Sequence, residues 1–339
     1  MMKYLLYCVI RRPSLVNQAF YSMSAVLTVS NIADYKIVVL TDMAENMKKE
    51  RKKLSAEVQK RIIIEKISAN TVNEWIGSDN YIFRVKIKAI QYFFEKYKEN
   101  VFLIDCDMYP KRDISNLLDQ IQSDKFIMYS QYKDTVEQYL QDQDMNLLND
   151  EDKNIIHNKE VYISDDKCEY KIELSRHPYL SCVIGIKYEN RYLVDKILEI
   201  CDLIYKKLHL YTSEELAVMF VFENFGKIVE ADSYFNTTRA EEWLCLLFGY
   251  SCGVFADGDE QKYMNLVKNI SLKIFHNTTN TYSFDYLRLL ASAYLAWQKS
   301  NKIPSLPAII ATGVEFSFIK NDRTDYTLIQ NLYEKYIGG

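Results

Sequence analysis

The chain has 339 residues, a formal net charge of −4 and an apolar fraction of 48%, as in an ordinary globular protein. Its acids and bases are interspersed, which argues against the broad basic face that nucleic acid requires. No apolar run approaches the roughly 20 residues of a membrane span, and the 9 glycines exclude a collagenous or low-complexity chain.

The first part of the chain alternates between strand and helix patterns. Apolar runs predict strands over residues 4–10, 35–40, 61–67 and 101–104. Helices are predicted between them over residues 14–29, 43–60 and 81–98. This βαβα order predicts an α/β fold with a mostly parallel central sheet that is flanked by helices.

The second part of the chain is less regular. Residues 131–176 are polar, charge-rich and weakly periodic, so we interpret them as an insertion that forms a lid or an acceptor loop. The predicted elements around and after it are strands at 125–129, 179–187, 227–230 and 272–275, and helices at 113–121, 188–209, 213–224, 284–299 and 326–337. We therefore expect one α/β domain over residues 1–283 and a helical C-terminal extension over residues 284–339.

The cysteines and the amino terminus bear on location. The 7 cysteines are scattered, odd in number and without CxxC spacing, which is typical of buried thiols in a reducing compartment. The brief apolar stretch at the start is followed by Arg11 and Arg12 instead of a small-residue cleavage site, so we expect a strand and no signal peptide. These features predict a cytoplasmic location, either free or at the inner face of a membrane.

Two carboxylates follow the strand predicted over residues 101–104. Ligand sites in open α/β sheets lie at the carboxyl ends of such strands, and in an extended chain Asp105 and Asp107 point to the same side. Their like charges are costly together unless a cation or a proton lies between them. We therefore predict a Mn²⁺ or Mg²⁺ site that shares its coordination shell with a substrate phosphate. The alternative is a strand-end turn in which both aspartates cap loop amides.

Arg84 and Lys88 lie four residues apart on the predicted helix 81–98. Like charges at that spacing cost about 0.2–0.5 kcal/mol unless an anion is near, and a diphosphate or Asp105 would be such an anion. A solvated helix face is the alternative interpretation. His276 stands at the end of a predicted strand, where it suits Mn²⁺ as a ligand unless it is a surface or satisfied core histidine.

Glu214 and Glu215 open the predicted helix 213–224. The helix dipole favours acidic residues in a first turn, which suffices to explain one of them. The other is a candidate for a base, a nucleophile or a ligand of a sugar hydroxyl.

The basic helix, the apolar strand and the run DCDMYP at residues 105–110 resemble the nucleotide-sugar glycosyltransferases of the GT-A fold, whose sheet is Rossmann-like. The order of parts, over about residues 3–283, is closest to the retaining group that includes glycogenin and the bacterial lipopolysaccharide galactosyl- and glucosyltransferases. The resemblance implies that Asp105, Asp107 and His276 bind Mn²⁺ and the donor diphosphate.

The resemblance further implies a metal-dependent transfer of a sugar from a nucleotide-diphosphate sugar, most simply a UDP-sugar, to a hydroxyl of a glycan, a lipid-linked or a protein acceptor. Arg84 or Lys88 would add positive charge to the leaving group, and Asp105 would orient the metal or the ribose. Retention of the anomeric configuration is implied, although Glu214 or Glu215 acting as a base would mean inversion. We expect four strand-end residues to line the site of the donor's nucleobase: Tyr7, Cys8, Thr41 and Asp42.

Two alternatives remain. Residues 180–182 read LSC where the family often has Asn-Ser-Gly, and the residues after His276 lack the family's glycine and phosphate-binding lysine. A GT-A-like module that binds a nucleotide sugar without turnover is therefore one alternative. The other is a haloacid-dehalogenase-like phosphatase with Asp105 as nucleophile and Asp107 as acid and base. In that class a Thr or Val follows shortly and the motif lies on the first strand, whereas here Met108 follows and strand-like segments precede it.

Overall fold

The computed structural model describes residues 3–30, 35–52, 54, 56–130, 135–143, 150–157, 160–164 and 169–237. The elements predicted beyond residue 237, His276 and the 284–339 extension lie outside the described residues. The strands are β1 (Lys3–Val9), β2 (Tyr35–Thr41), β3 (Ile62–Lys66), β4 (Val101–Ile104), β5 (Met108–Pro110), β6 (Lys125–Ser130), β7 (Glu160–Ser164), β8 (Glu169–Glu173), β9 (Tyr179–Ile186), β10 (Lys227–Glu230) and β11 (Phe235–Thr237).

The helices lie between these strands. They are α1 (Pro13–Val29), α2 (Ala44–Arg51), α3 (Ala56–Gln59), α4 (Ala69–Ile76), α5 (Arg84–Tyr97), α6 (Ser115–Leu118), α7 (Val136–Gln143), α8 (Asp150–His157), α9 (Tyr192–Leu208) and α10 (Ser213–Phe225), with a 3-10 turn at Tyr188–Asn190. Among the described residues, no helix is both long and apolar enough to cross a bilayer.

Within the described residues, seven strands form a central sheet in the order β10-β6-β9-β4-β1-β2-β3. β9 is antiparallel to its neighbours β4 and β6, and the other strands run in one direction. The predicted α/β fold with a mostly parallel, helix-flanked sheet is therefore confirmed. Beside the sheet, β5 pairs antiparallel with β11, and β7 pairs antiparallel with β8.

Side chains of the strands alternate between two cores, one on each face of the sheet. On one face Leu6 packs in a cluster with Phe93 of α5, and on the other Leu5 packs in a cluster with Phe20 of α1. The alternation follows from the period of two along a strand. Because helices cover both faces, all four residues of β4 are fully buried, and burial of each such side chain contributes roughly 1.5–3 kcal/mol.

Several local predictions differ from the structure. The predicted helix 43–60 is divided into α2 and α3, and α4, β5 and β11 have no counterpart among the predicted elements. The 131–176 segment, interpreted as a lid or loop, contains α7, α8 and the β7–β8 hairpin. Each of those helices has 8 residues, only about two turns, so a helical period is hard to recognise there.

Gly185 of β9 lies opposite Ile127 of β6. A Cβ atom at residue 185 would lie 2.8 Å from the Cβ atom of Ile127, closer than real Cβ contacts allow. We therefore expect Gly185→Ala to lower the free energy of unfolding by about 1–3 kcal/mol in a urea titration, because the two strands must move apart. In the Ile127→Ala background the cost of Gly185→Ala should fall only in part, since the substitution removes the Cγ1 and Cδ1 atoms that would each lie 3.0 Å from the added Cβ atom but keeps the Cβ atom at 2.8 Å. An unchanged cost or its complete disappearance would contradict these contacts.

Candidate functional site

The carboxyl ends of β1, β2 and β4 meet at one edge of the sheet, and the first residues of antiparallel β9 lie at the same edge. Asp105, directly after β4, is tied to β9 because its backbone N–H donates to the carbonyl of Cys182 at 2.8 Å. The chain then turns, since the N–H of Met108 donates to the carbonyl of Asp105 at 3.0 Å. The chain therefore does not stay extended from Asp105 to Asp107, and the prediction that their side chains point to the same side loses its basis.

Lys86, in the first turn of α5, lies at the centre of the site. Its ammonium nitrogen is 2.9 Å from Asp105 Oδ2, 2.9 Å from Ser181 Oγ and 3.2 Å from Glu214 Oε1, so its three donors meet three oxygens. The Ser181 hydroxyl also donates to Glu214 Oε1 at 2.8 Å. The side chains of Lys86 and Glu214 are only 12% and 2% exposed. We call these four residues the Lys86 network.

The Lys86 network brings the carboxyl groups of Asp105 and Glu214 together in a largely buried position. Burial raises the pKa of Asp105 to about 7; Lys86 opposes this rise and the charge of Asp107 adds to it. Burial acts to lower the pKa of Lys86, but the surrounding carboxylates outweigh it and hold that pKa well above its usual value. Lys86 is therefore a fixed cation at neutral pH, while Asp105 titrates near neutrality unless a second cation binds beside it.

The two predicted carboxylates of α10 make different contacts. Glu214 Oε2 lies 2.8 Å from the hydroxyl of Tyr81, which also accepts the N–H of Glu214 at 3.1 Å. Glu215 Oε2 accepts a hydrogen bond from Tyr139 of α7 at 2.6 Å. Burial raises the pKa of Glu215 to about 8; Glu214 adds to this rise, and Lys86 and Tyr139 oppose it. Glu214 thus belongs to the Lys86 network and Glu215 lies beside it, and the catalytic role of both carboxylates stays a prediction.

Neither Arg84 nor Lys88 contacts Asp105. Arg84 forms a salt bridge with Asp202 of α9 (Nε–Oδ1, 2.7 Å), and Lys88 donates to a glutamine of its own helix at 2.7 Å. The cation at Asp105 is Lys86, which removes Asp105 as the anion expected for Arg84 and Lys88, whereas their contact with a donor diphosphate stays a prediction. Successive helical residues are rotated by about 100°, so a residue midway between the two basic positions points to a different side of the helix.

Two of the four residues expected to line the nucleobase site are buried in the core. Tyr7 is fully buried and its hydroxyl lies 2.9 Å from Ser22 Oγ of α1. Thr41 is also fully buried, and its hydroxyl accepts a backbone N–H two residues further on at 2.9 Å. These two assignments are wrong, because both side chains are enclosed and bonded within the fold. Cys8 and Asp42 are partly exposed at the strand ends, and their contact with the nucleobase stays a prediction.

Asp105 and Asp107 offer the hard oxygen donors that Mn²⁺ and Mg²⁺ prefer. Such ions typically take one or two carboxylates and complete their shell with water and phosphate oxygens. In the part of the chain that the structure describes, no group of three or more histidine, cysteine or acidic side chains is arranged to hold a metal ion. An ion held by these two aspartates would have to take its other ligands from water and a substrate phosphate, and a metal at Asp105 and Asp107 stays a prediction. His276, the third predicted ligand, lies outside the described residues.

Comparison with known proteins yields distant structural likenesses. No family model and no curated protein matches it. Among solved structures, mouse xyloside xylosyltransferase 1 in its apo form is similar over 68% of this chain and 86% of that one, at 11% identity and a TM-score of 0.42. The galactosyltransferase LgtC, in complex with donor and acceptor sugar analogues, is similar over 67% of this chain and 73% of that one, at 9% identity and a TM-score of 0.45. These likenesses are too distant to assign a family.

Proposed function

We propose that this protein is a metal-dependent glycosyltransferase, which moves a sugar from a nucleotide-diphosphate sugar to an acceptor hydroxyl. A UDP-sugar is the proposed donor, and a hydroxyl on a glycan, a lipid-linked or a protein acceptor receives the sugar. The observation that carries the proposal is the salt bridge of Lys86 to Asp105 at 2.9 Å, directly after β4. It supports a charged ligand site at the edge of the sheet where α/β folds bind their ligands.

Asp105 and Asp107 are the proposed metal ligands, and Mn²⁺ or Mg²⁺ held there would supply positive charge against the leaving diphosphate. Lys86 fixes Oδ2 of Asp105 at 2.9 Å, so this carboxylate is oriented before any ligand arrives. Lys86 is itself fixed by Ser181 and Glu214. Such preorganisation of charged groups in a poorly hydrated site is a large contribution to catalysis.

Glu215 is the proposed residue on the acceptor side. Glu214 is engaged by Lys86, Ser181 and Tyr81, whereas the contact described for the Glu215 carboxylate is with Tyr139. A carboxyl group with a pKa of about 8 keeps its proton at neutral pH and can donate a hydrogen bond to a sugar hydroxyl, a role that is compatible with a retaining transfer. We propose retention, which the family resemblance supports; a product of inverted configuration would instead fit Glu215 as a general base.

A donor screen tests the proposed function. The purified protein is incubated with a panel of nucleotide-diphosphate sugars and Mn²⁺, and release of the nucleoside diphosphate is measured. We expect one donor to react, EDTA to abolish the release and added Mn²⁺ to restore it, because the aspartates alone leave the diphosphate uncompensated. Release that continues at full rate in EDTA would overturn the metal dependence, and failure of every donor would overturn the transferase.

Two other results would identify the alternatives. Release of inorganic phosphate from phosphate monoesters, with Asp105 trapped as a beryllofluoride adduct, would identify a phosphatase. Tight, metal-dependent binding of a nucleotide sugar without release of its sugar would identify a binding module.

A further inference from the structure

The 131–176 segment contributes a side chain to the site. Tyr139 of α7 is 6% exposed, and its hydroxyl donates to Glu215 Oε2 at 2.6 Å. Val136 and Leu140, on the same helix, are fully buried. One face of α7 therefore packs inward, and Tyr139 on that face meets a carboxylate of α10.

Side chains of this segment bind to α9 and to α10, the helix that carries Glu214 and Glu215. The N–H of Val136 donates to the carbonyl of Arg176 at 2.8 Å, and the Arg176 guanidinium forms a salt bridge with Glu223 of α10 (Nη1–Oε2, 2.8 Å). Tyr170 of β8 donates to Glu199 of α9 at 2.8 Å. The tyrosine of α7 is thus held by the segment's own anchoring, independently of any substrate.

We propose that Tyr139 is a positioning residue, which fixes the carboxyl group of Glu215 beside the Lys86 network. The inference rests on the proposed function, because the acceptor-side role of Glu215 belongs to that function. A phenol is suited to this task, since it donates a single hydrogen bond from a rigid ring that packing already holds. A carboxyl group without such a partner samples a broad terminal torsion, and loss of orientation lowers the rate of a reaction that needs it.

Charged and titratable groups on several elements interact with Glu215. Those that face it in the described residues are Glu214 on α10, Lys86 on α5, Asp105 after β4, Tyr139 on α7 and Cys182 on β9. Burial is the largest cause that raises the pKa of Glu215 to about 8, while the hydrogen bond from Tyr139 lowers it. Removing the Tyr139 hydroxyl removes a donor that stabilises the charged carboxylate, so the pKa must rise further.

Tyr139→Phe tests the inference, and Tyr170→Phe is its matched control, because it removes a tyrosine-to-carboxylate hydrogen bond of the same segment away from the site. In protein labelled with ¹³C at the glutamate carboxyl carbons, the signal of Glu215 is assigned by its loss in Glu215→Gln. We expect Tyr139→Phe to raise the titration midpoint of Glu215 by about one pH unit, and Tyr170→Phe to leave it in place. An unchanged midpoint in Tyr139→Phe, or an equal rise in both variants, would overturn the inference.

The carboxyl titration needs no turnover, so it separates this inference from the proposed function. If no donor reacts although the midpoint moves, the transferase proposal fails and the Tyr139–Glu215 contact stands. If donors react and the midpoint moves, the limb of the pH–rate profile that reports Glu215 should move with it. A limb that stays in place while the midpoint moves would overturn the positioning role.

Discussion

Asp107→Asn should lower the rate of metal-dependent sugar release by at least about 100-fold, the effect expected when a charged group at a reaction centre is neutralised. Asparagine has nearly the shape of aspartate, so the turn after β4 keeps its size while one negative ligand is lost. The substitution should lower the rate by weakening metal binding, because a neutral amide oxygen attracts Mn²⁺ less than a carboxylate does. Titrating the rate with Mn²⁺ should therefore show half-activation at a higher concentration.

Asp119→Asn is the matched control for this experiment. Asp119 pairs with Lys3 at the surface, where its side chain is 62% exposed, so the same chemical change there should leave the rate within about twofold. Thermal melts of both variants should stay close to that of the unaltered protein, since neither change opens the core. Equal rates for Asp107→Asn and the unaltered protein at every Mn²⁺ concentration would exclude Asp107 from the metal site.

The strand that carries this site is predictable from four residues. The predicted strand 101–104 and β4 have the same bounds, because an unbroken apolar run of that length is stable only when both of its faces are covered. The carboxylates that end the run must then lie at the edge of the sheet. Local pattern therefore suffices for the fold class and for the place of Asp105, although it does not show the turn that follows.

The partners of Asp105 are not encoded in any local pattern. The sequence of the 8-residue strand β9 does not show whether the strand runs parallel or antiparallel, yet its antiparallel course brings Ser181 to the carboxylate edge. The contact of Lys86 with Ser181 joins residues 95 apart in sequence, and that of Tyr139 with Glu215 joins residues 76 apart. Such pairs become visible only when the topology is known.

The sequence of the predicted helix 81–98 does indicate that Lys86 faces the protein. Lys86 lies between Val85 and Ile87, which are both buried, so it faces the protein more closely than a solvated residue would. Lysine is almost never buried without a partner, and Asp105 is the carboxylate predicted at the end of the strand that follows this helix. The i, i+4 spacing of like charges indicates Arg84 and Lys88 instead, because it reflects repulsion within a helix and not the side of the helix that faces the sheet.

Lys86→Met should lower the free energy of unfolding by about 3–5 kcal/mol at about pH 9, where Asp105 is ionised in the unaltered protein; this is the usual cost of leaving buried charges without their partner. Methionine fills the space of the lysine stem, so the packing of α5 changes little. What is lost is the cation between Asp105 and Glu214, whose side chains are 27% and 2% exposed. Urea titration measures the loss, and Lys88→Met on the same helix should change stability by less than about 0.5 kcal/mol.

This destabilisation should shrink as the pH falls. Burial raises the pKa of Asp105 to about 7 while Lys86 opposes the rise, so without that cation the pKa in the folded protein must be higher still. A carboxyl group whose pKa is higher in the folded than in the unfolded chain costs stability at high pH, and the cost disappears as the pH falls to its unfolded pKa of about 4. The stability of Lys86→Met should therefore approach that of the unaltered protein as the pH falls from about 9 to about 7, because below the folded pKa of about 7 Asp105 holds its proton in both proteins. A deficit that stays constant over this range would assign the loss to packing and would remove Lys86 from its electrostatic role.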